Sequence, residues 1–538
     1  MVNRRNYRLQ VFRQDDFTGG LNLRADQFQL AQNESPKMLN VEIDPRGGVF
    51  SRGAMRRINS SAVSAHWVPE NVFPFYGDSH YIMLSTGFAS AVNGDVFYST
   101  GGNFTPLSIP ISEQHGASFA PWGNKLFIAT GHGSVSYSWD GSTKTAMTAT
   151  GSGAWQSSYT TPDPTPHFPK AKHTVTHAGK VFVANVYEDG VAKTTRIRWS
   201  HPNNPTNWAE LDYIDINDGG QDITGLAVTN GHLVVFKHNS VFAVFGYDSD
   251  TFQVVEISRS VGAATPHAVC TTERGVYFFS YPDGLMLYNG NGVIDLFEPI
   301  RPAITMGHIN PAAIGEVYVN HINRRIWVSL PYSETTTETH PTASFVYDPT
   351  ISQRGAWLMF VTADGKAASG GCTFIAESGA TRHLIAHSTL PYVLAVDDYD
   401  NGYDNITGVD YQFTSRYRTR WVDGGSYSQK KMFRRPDIII KQVAGSSYLN
   451  IKAYGNYEEA SSIKEYQISI PSASTGMIWG TSAWGVSSWG DQNVGSQIMR
   501  GRSIGLAKSI QLEFEGGPGI PWGINSYTLK YNPRKVGQ

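Results

Sequence analysis

Seven short apolar runs, each led by a turn residue, recur through the middle of this chain. They are His80-Tyr-Ile-Met-Leu, Gly123-Asn-Lys-Leu-Phe-Ile, Gly179-Lys-Val-Phe-Val, Gly231-His-Leu-Val-Val-Phe, Gly275-Val-Tyr-Phe-Phe, Asn323-Arg-Arg-Ile-Trp-Val and Arg382-His-Leu-Ile-Ala. Aligned on Tyr81, Leu126, Val181, Leu233, Val276, Ile326 and Leu384, the steps are 45, 55, 52, 43, 50 and 58 residues. A second strand-like run ending in an aromatic and a turn follows most of them, as in Val135-Ser-Tyr-Ser-Trp-Asp-Gly and Ser344-Phe-Val-Tyr-Asp-Pro. Several strands per unit at a period near 50 residues is the pattern of stacked small sheets, each unable to bury both of its faces alone. The reading is an all-β chain with a β-propeller of six or seven blades, the first and last openings being the least regular. A pair of β-sandwiches also has short strands at regular spacing, but would not repeat one opening seven times.

Composition agrees. With 54 glycines in 538 residues, 12% aromatics and only 16% charged residues, the chain suits short strands and turns rather than helix bundles or disorder. Helix is expected only as single turns, around Ala264–Ala268 or Pro311–Ile314. A net charge of −2 excludes a polybasic nucleic-acid or membrane-surface binder. Two cysteines, Cys270 and Cys372, exclude a disulfide scaffold and a cysteine-based zinc cluster, and are expected to be reduced and structural. The first residues carry four arginines but no apolar segment behind them, unlike a secretory signal, and no stretch approaches 18 apolar residues.

The charge is uneven. Residues 1–60 hold 10 basic and 6 acidic side chains, residues 61–407 hold 17 and 30, and residues 408–538 hold 16 and 9. These divisions give an extended N-terminal strap, an acidic propeller and a basic C-terminal antiparallel β domain of the sandwich type. In the last, Tyr411-Gln-Phe-Thr-Ser-Arg-Tyr-Arg-Thr-Arg-Trp alternates strictly, so one strand would carry Arg416, Arg418 and Arg420 on one face and Tyr417 and Trp421 on the other. Lys430, Lys431, Arg434 and Arg435 would pair beside it. Three like charges in line need solvent or acidic partners, and the expectation is a subunit contact onto the acidic propeller of a neighbour. Trp479, Trp484 and Trp489, five apart, read as anchors in a turn-rich segment.

A search for chemistry returns little. There is no GxxxxGK[ST] loop, HExxH or GxSxG. The 16 histidines are scattered, with no helical i, i+4 pair. Asp397-Asp-Tyr-Asp-Asn-Gly-Tyr-Asp404 is oxygen-rich but departs from EF-hand spacing, and reads as a solvated linker rather than a calcium loop. No catalytic residue, cofactor or metal ligand is assigned.

Near the N-terminus stand Asp16-Phe-Thr-Gly-Gly-Leu-Asn-Leu-Arg-Ala-Asp, then Leu30-Ala-Gln-Asn-Glu-Ser-Pro-Lys-Met-Leu-Asn-Val-Glu-Ile-Asp, then Gly47-Gly-Val-Phe-Ser-Arg-Gly. This order resembles the opening of the nozzle proteins, or tail tubular B proteins, of short-tailed bacteriophages. Tyr417-Arg-Thr-Arg-Trp-Val-Asp-Gly-Gly and Ser503-Ile-Gly-Leu-Ala-Lys-Ser-Ile-Gln-Leu-Glu-Phe resemble phrases that close such proteins. The resemblance implies a non-enzymatic virion component assembled in the host cytoplasm. It implies a ring, usually of six copies, below the portal and adaptor, meeting tail fibres and passing genomic DNA without sequence-specific binding. An acidic propeller would suit a wall that must not grip phosphates. The alternative is a tail-tip or baseplate propeller that binds or degrades host-surface glycan.

Overall fold

A computed structural model describes residues 9–534 apart from 27, 64–67, 89–91, 151–154, 156–164, 220, 249, 334, 336, 400–401, 442–446, 471–495 and 518–520. The run carrying Trp479, Trp484 and Trp489 lies outside the described residues. The described chain is nearly all β, in many small antiparallel sheets. Among the described residues helix is confined to the turns Pro266–Ala268, Glu298–Ile300, Pro302–Thr305 and Pro311–Glu316. The first and last fall where single turns are expected. None is long or apolar enough to cross a membrane.

Seven sheets follow one another in chain order, and their second strands are His80–Thr86, Lys125–Ala129, Lys180–Glu188, His232–Lys237, Gly275–Ser280, Arg325–Leu330 and Thr381–His387. Each repeated opening in the sequence forms one of these strands. The turn before it sets the hairpin: Asn230-Gly231 (φ 48° and 77°) and Asn323-Arg324 (φ 50° and 61°) hold both central residues in the left-handed region, as a two-residue type I′ loop requires. Sheets I to VI are four-stranded meanders. Sheet VII instead takes a strand from far upstream, Ala54–Arg57, which pairs antiparallel with Val393–Asp398.

The second strands are apolar almost without a break because both of their faces are covered. Leu126 and Ile128 pack with Phe75 and Met83 of sheet I, whereas Phe127 packs with Val181 of sheet III and with Phe168 just before that sheet. Leu233 and Val235 face sheet III, and Val234 and Phe236 face sheet V. Each contact between successive sheets from I to V thus has its own apolar cluster, whereas sheets V, VI and VII share one large cluster with the C-terminal body. Sheets VII and I share one as well, through Phe374, Leu384, Val72 and Leu84.

First strands are tied to their neighbours by side chains. Asn71 donates to the Ala117 carbonyl (3.2 Å), Ser118 to Thr174 (3.3 Å), His173 to Ile223 (3.1 Å), Thr224 to Ala263 (2.9 Å) and Thr265 to Val317 (3.0 Å). The Gly371 N–H donates to Asn320 (3.1 Å), and Ser369 donates to the Pro69 carbonyl in sheet I.

The C-terminal part has two sheets around one core. One orders Ser496–Arg500, Asp437–Lys441, Gly523–Pro533, Lys431–Phe433 and Gly505–Ala507; the other orders Lys37–Leu39, Arg416–Arg418, Ile510–Gly516, Ser447–Gly455 and Lys464–Ile470. The Phe514 ring of the second lies 5.7 Å from the Tyr527 ring of the first. The N-terminal segment is woven into these sheets rather than laid over them. Gln10–Gln14 pairs with Gly523–Pro533, Lys37–Leu39 with Arg416–Arg418, and Val49–Ser51 with Gly523–Pro533. The expected boundary at 407/408 also shifts, since Asp410–Gln412 still pairs within sheet VII.

Candidate functional site

The alternating segment 411–421 is two strands, not one. Asp410–Gln412 ends sheet VII and Arg416–Arg418 begins in the C-terminal body. The break falls at Phe413, whose ring lies under the Arg52 guanidinium at 3.9 Å. Two of the three arginines, Arg416 and Arg418, find acidic partners inside the chain. Arg418 donates through Nε to Glu513 (2.7 Å) and through Nη1 to Glu459 (2.8 Å), and stands over the Tyr454 ring. Arg416 lies 3.3 Å from Glu515 and 3.5 Å from Glu513. These are cross-strand neighbours, Arg416 opposite Glu515 and Arg418 opposite Glu513, so the charges meet on one face of the sheet. Arg420 stacks toward Phe12. The need for an acidic surface on a neighbour, which motivated the subunit contact for Arg416, Arg418 and Arg420, is met within the domain for Arg416 and Arg418. Lys431–Phe433 joins the opposite sheet, so the second basic group does not pair beside these arginines. Lys431 is itself buried and donates to the carbonyls of Ser426, Gln429 and Lys508.

The oxygen-rich segment is also occupied by the chain. Asp404, fully buried, receives both Arg52 Nη atoms (2.9 and 2.7 Å) and the N–H groups of Met55 (2.8 Å) and Ala363 (2.9 Å). Asp398 faces Arg56 at 3.4 Å. Asp400 lies outside the described residues. Cys270 and Cys372 are free thiols, and burial pushes both up to about 12.

Spacing in the sequence conveys nothing of a second constellation. A cavity of about 310 Å³ opens between the first strands, lined by Asn71, His115, Ser118, His173, Thr224 and His267 among others. His115 and His267 of its lining, together with Glu70 beside them, each present a ligand-capable atom within 4.8 Å of the other two. Glu70 stands on the first strand of sheet I, His115 in the turn entering sheet II, and His267 in the single helical turn entering sheet V. His267 donates from Nε2 to the His115 carbonyl, and its ring stacks on Tyr318 with centroids 5.3 Å apart. Tyr318 donates to Glu316 (3.2 Å).

Burial governs the electrostatics here. Desolvation, reinforced by Glu316, pushes the Glu70 carboxyl up to about 9. It lowers His115, and takes His173 down to about 4 and His267 to about 3. At neutral pH this cluster holds uncharged imidazoles and a protonated carboxyl. Glu70 Oε2 and His115 Nδ1 have no hydrogen-bond partner among the described residues.

No protein-family profile and no curated protein matches the chain. Among solved structures, the extracellular domain of a hybrid two-component system from B. thetaiotaomicron aligns at 8% identity and TM-score 0.28, over 65% of this chain and 40% of that one. The CNH domain of AfRom2 aligns at 11% identity and TM-score 0.25, over 41% of this chain and 62% of that one. In both, the aligned part spans less than two thirds of the neighbour's length, and at these scores neither likeness bears on the chain's role.

Proposed function

We propose that the chain is a non-enzymatic structural subunit of a bacteriophage tail, a nozzle-type protein that assembles into a ring around the path of the genome and serves its retention and ejection. In this reading the seven sheets are the blades of a propeller. The tie from Ser369 back to Pro69 and the cluster shared by sheets VII and I support that reading, as does the strand Ala54–Arg57, which locks the last blade with chain from before the first.

The observation that carries the function is where the N-terminal motif residues lie. Asn40 accepts from the Val361 N–H (2.8 Å), donates to the Thr414 carbonyl (2.8 Å) and accepts from Arg52 Nε (2.9 Å). Glu42 pairs with Arg325 (2.8 Å) and receives the Tyr399 hydroxyl. Gly20 runs so close to Trp357 that a Cβ there would meet its carbonyl oxygen at 2.7 Å. Every block of the nozzle-like opening therefore contributes to the seam between sheets VI and VII and the C-terminal body. A subunit that must hold internal pressure without flexing between its parts needs such a seam, and a motif shared for that reason needs no active site.

Native mass spectrometry and electron microscopy of the purified protein test this. The expected result is a closed ring of several copies with a central opening. A chain that stays monomeric at micromolar concentration and releases sugar from host-surface glycan would overturn the proposal in favour of the tail-tip alternative.

A further inference from the structure

We propose that Glu70, His115 and His267 form a binding site for a divalent cation of the zinc class, which staples sheets I and II to the non-adjacent sheet V across the cavity wall. The donor set is the first argument. Two imidazole nitrogens and one carboxylate oxygen are the ligands that zinc takes, whereas magnesium and calcium ask for oxygen alone. The second argument is the state of those atoms. Glu70 Oε2 and His115 Nδ1 lack hydrogen-bond partners among the described residues, an arrangement that costs free energy in a half-buried site unless something else meets their lone pairs. The third is the set of supporting contacts. Because His267 gives its Nε2 proton to the His115 carbonyl, its other nitrogen, Nδ1, is left as a bare lone pair. Tyr318 fixes the plane of that ring by stacking on it, and is itself anchored on Glu316.

Distance permits closure. Zinc bonds of about 2.0–2.2 Å in tetrahedral geometry place donors roughly 3.3–3.6 Å apart. Ligand atoms that already lie within 4.8 Å of one another need to draw in by at most about 1.5 Å, within reach of side-chain rotation. Three protein ligands leave a fourth position, which the adjoining cavity can fill with water.

The site joins residues 45 and 152 positions apart in the chain, so a cation there would restrain the assembled sheets and not a local loop. The inference is independent of the tail assignment. Its test uses the full chain, stripped with a chelator, dialysed and titrated with zinc chloride, with bound metal counted by elemental analysis. The expected result is one zinc per chain and a higher thermal midpoint on binding. Glu70→Gln and His267→Gln should each weaken zinc binding by at least about tenfold, since even outer-shell changes cost 10–100-fold. Zinc that fails to bind, or that binds equally well to both variants, overturns the site. Should a variant not fold, cobalt(II) added to the unmodified chain decides. Intense visible absorption from a low-coordinate site is expected, and the weak spectrum of six-coordinate aqueous cobalt overturns the proposal.

Discussion

The seven successive sheets and the C-terminal body use the same material, short strands and tight turns, but close their cores in opposite ways. Within the first six of the seven sheets, strands adjacent in sequence are adjacent in space, the seventh alone inserting Ala54–Arg57 from upstream, and from sheet I to sheet V the covering apolar layer comes from the next sheet along the chain. The C-terminal body instead draws strands from both ends. Gln10 faces Tyr531, and Tyr417 lies between Met38 and Phe514. Local closure can be lengthened sheet by sheet, whereas non-local closure fixes two distant segments against each other. The seam between the two regions is polar at its centre: Arg52 and Asp404 are 1% and 0% exposed, and all their strong contacts are made within the chain. A buried pair of this kind sets geometry more than it adds stability, because desolvation offsets most of its attraction.

Cutting the seam should separate the two regions. Arg52→Ala leaves Asp404 buried without its cation, and a loss of about 3–5 kcal/mol is expected. Calorimetry should then show two transitions in place of one, and a single lowered transition would mean that the regions are coupled elsewhere. Arg52→Met with Asp404→Leu should recover much of the loss, since a well-packed apolar pair can replace a buried ionic one.

A core change within one sheet should stay there. Leu233→Ala removes a side chain that fills the cluster between sheets III and IV, at an expected cost of about 3 kcal/mol. Hydrogen exchange should quicken in residues 170–258 and remain unchanged in residues 408–534. Equal loosening of both regions would show that the seven sheets unfold as one body with the C-terminal part.

The third expected effect depends on pH. His173 is buried and neutral in the fold, and titrates near 4 instead of 6.5. Between those values the unfolded chain binds the extra proton, so stability rises with pH. The contribution is full above about 6.5, is lost as pH falls toward 4, and is smaller by about 2 kcal/mol at pH 5. Urea midpoints at pH 5 and 7 should differ less in His173→Gln than in the unmodified chain. An unchanged difference would place the titration elsewhere.

The legible part of this fold is the part whose physics is local. A strand covered on both faces must be continuously apolar, and a type I′ hairpin must begin with residues that tolerate positive φ. Those two demands made Gly231-His-Leu-Val-Val-Phe and its six counterparts visible as one repeat. Strict alternation misled at 411–421, because period two reports only that neighbouring side chains point apart. It does not report that the chain changes sheets at Phe413. The partners of Arg418 were equally hidden, since Glu513 is 95 residues away and nothing in the spacing binds the two.

The sequence by itself determined the all-β class, the seven strand-pair units and the single turns of helix, because hydrogen-bonded hairpins and their turns are specified by residues a few positions apart. Tertiary structure alone decided that Asn40, Glu42 and Arg52 form a seam, that Asp404 closes on an arginine, and that Glu70, His115 and His267 meet. Each of these groups is stable only where burial raises the cost of an unmet charge or lone pair, and burial is a property of the packed sheets rather than of any stretch of chain.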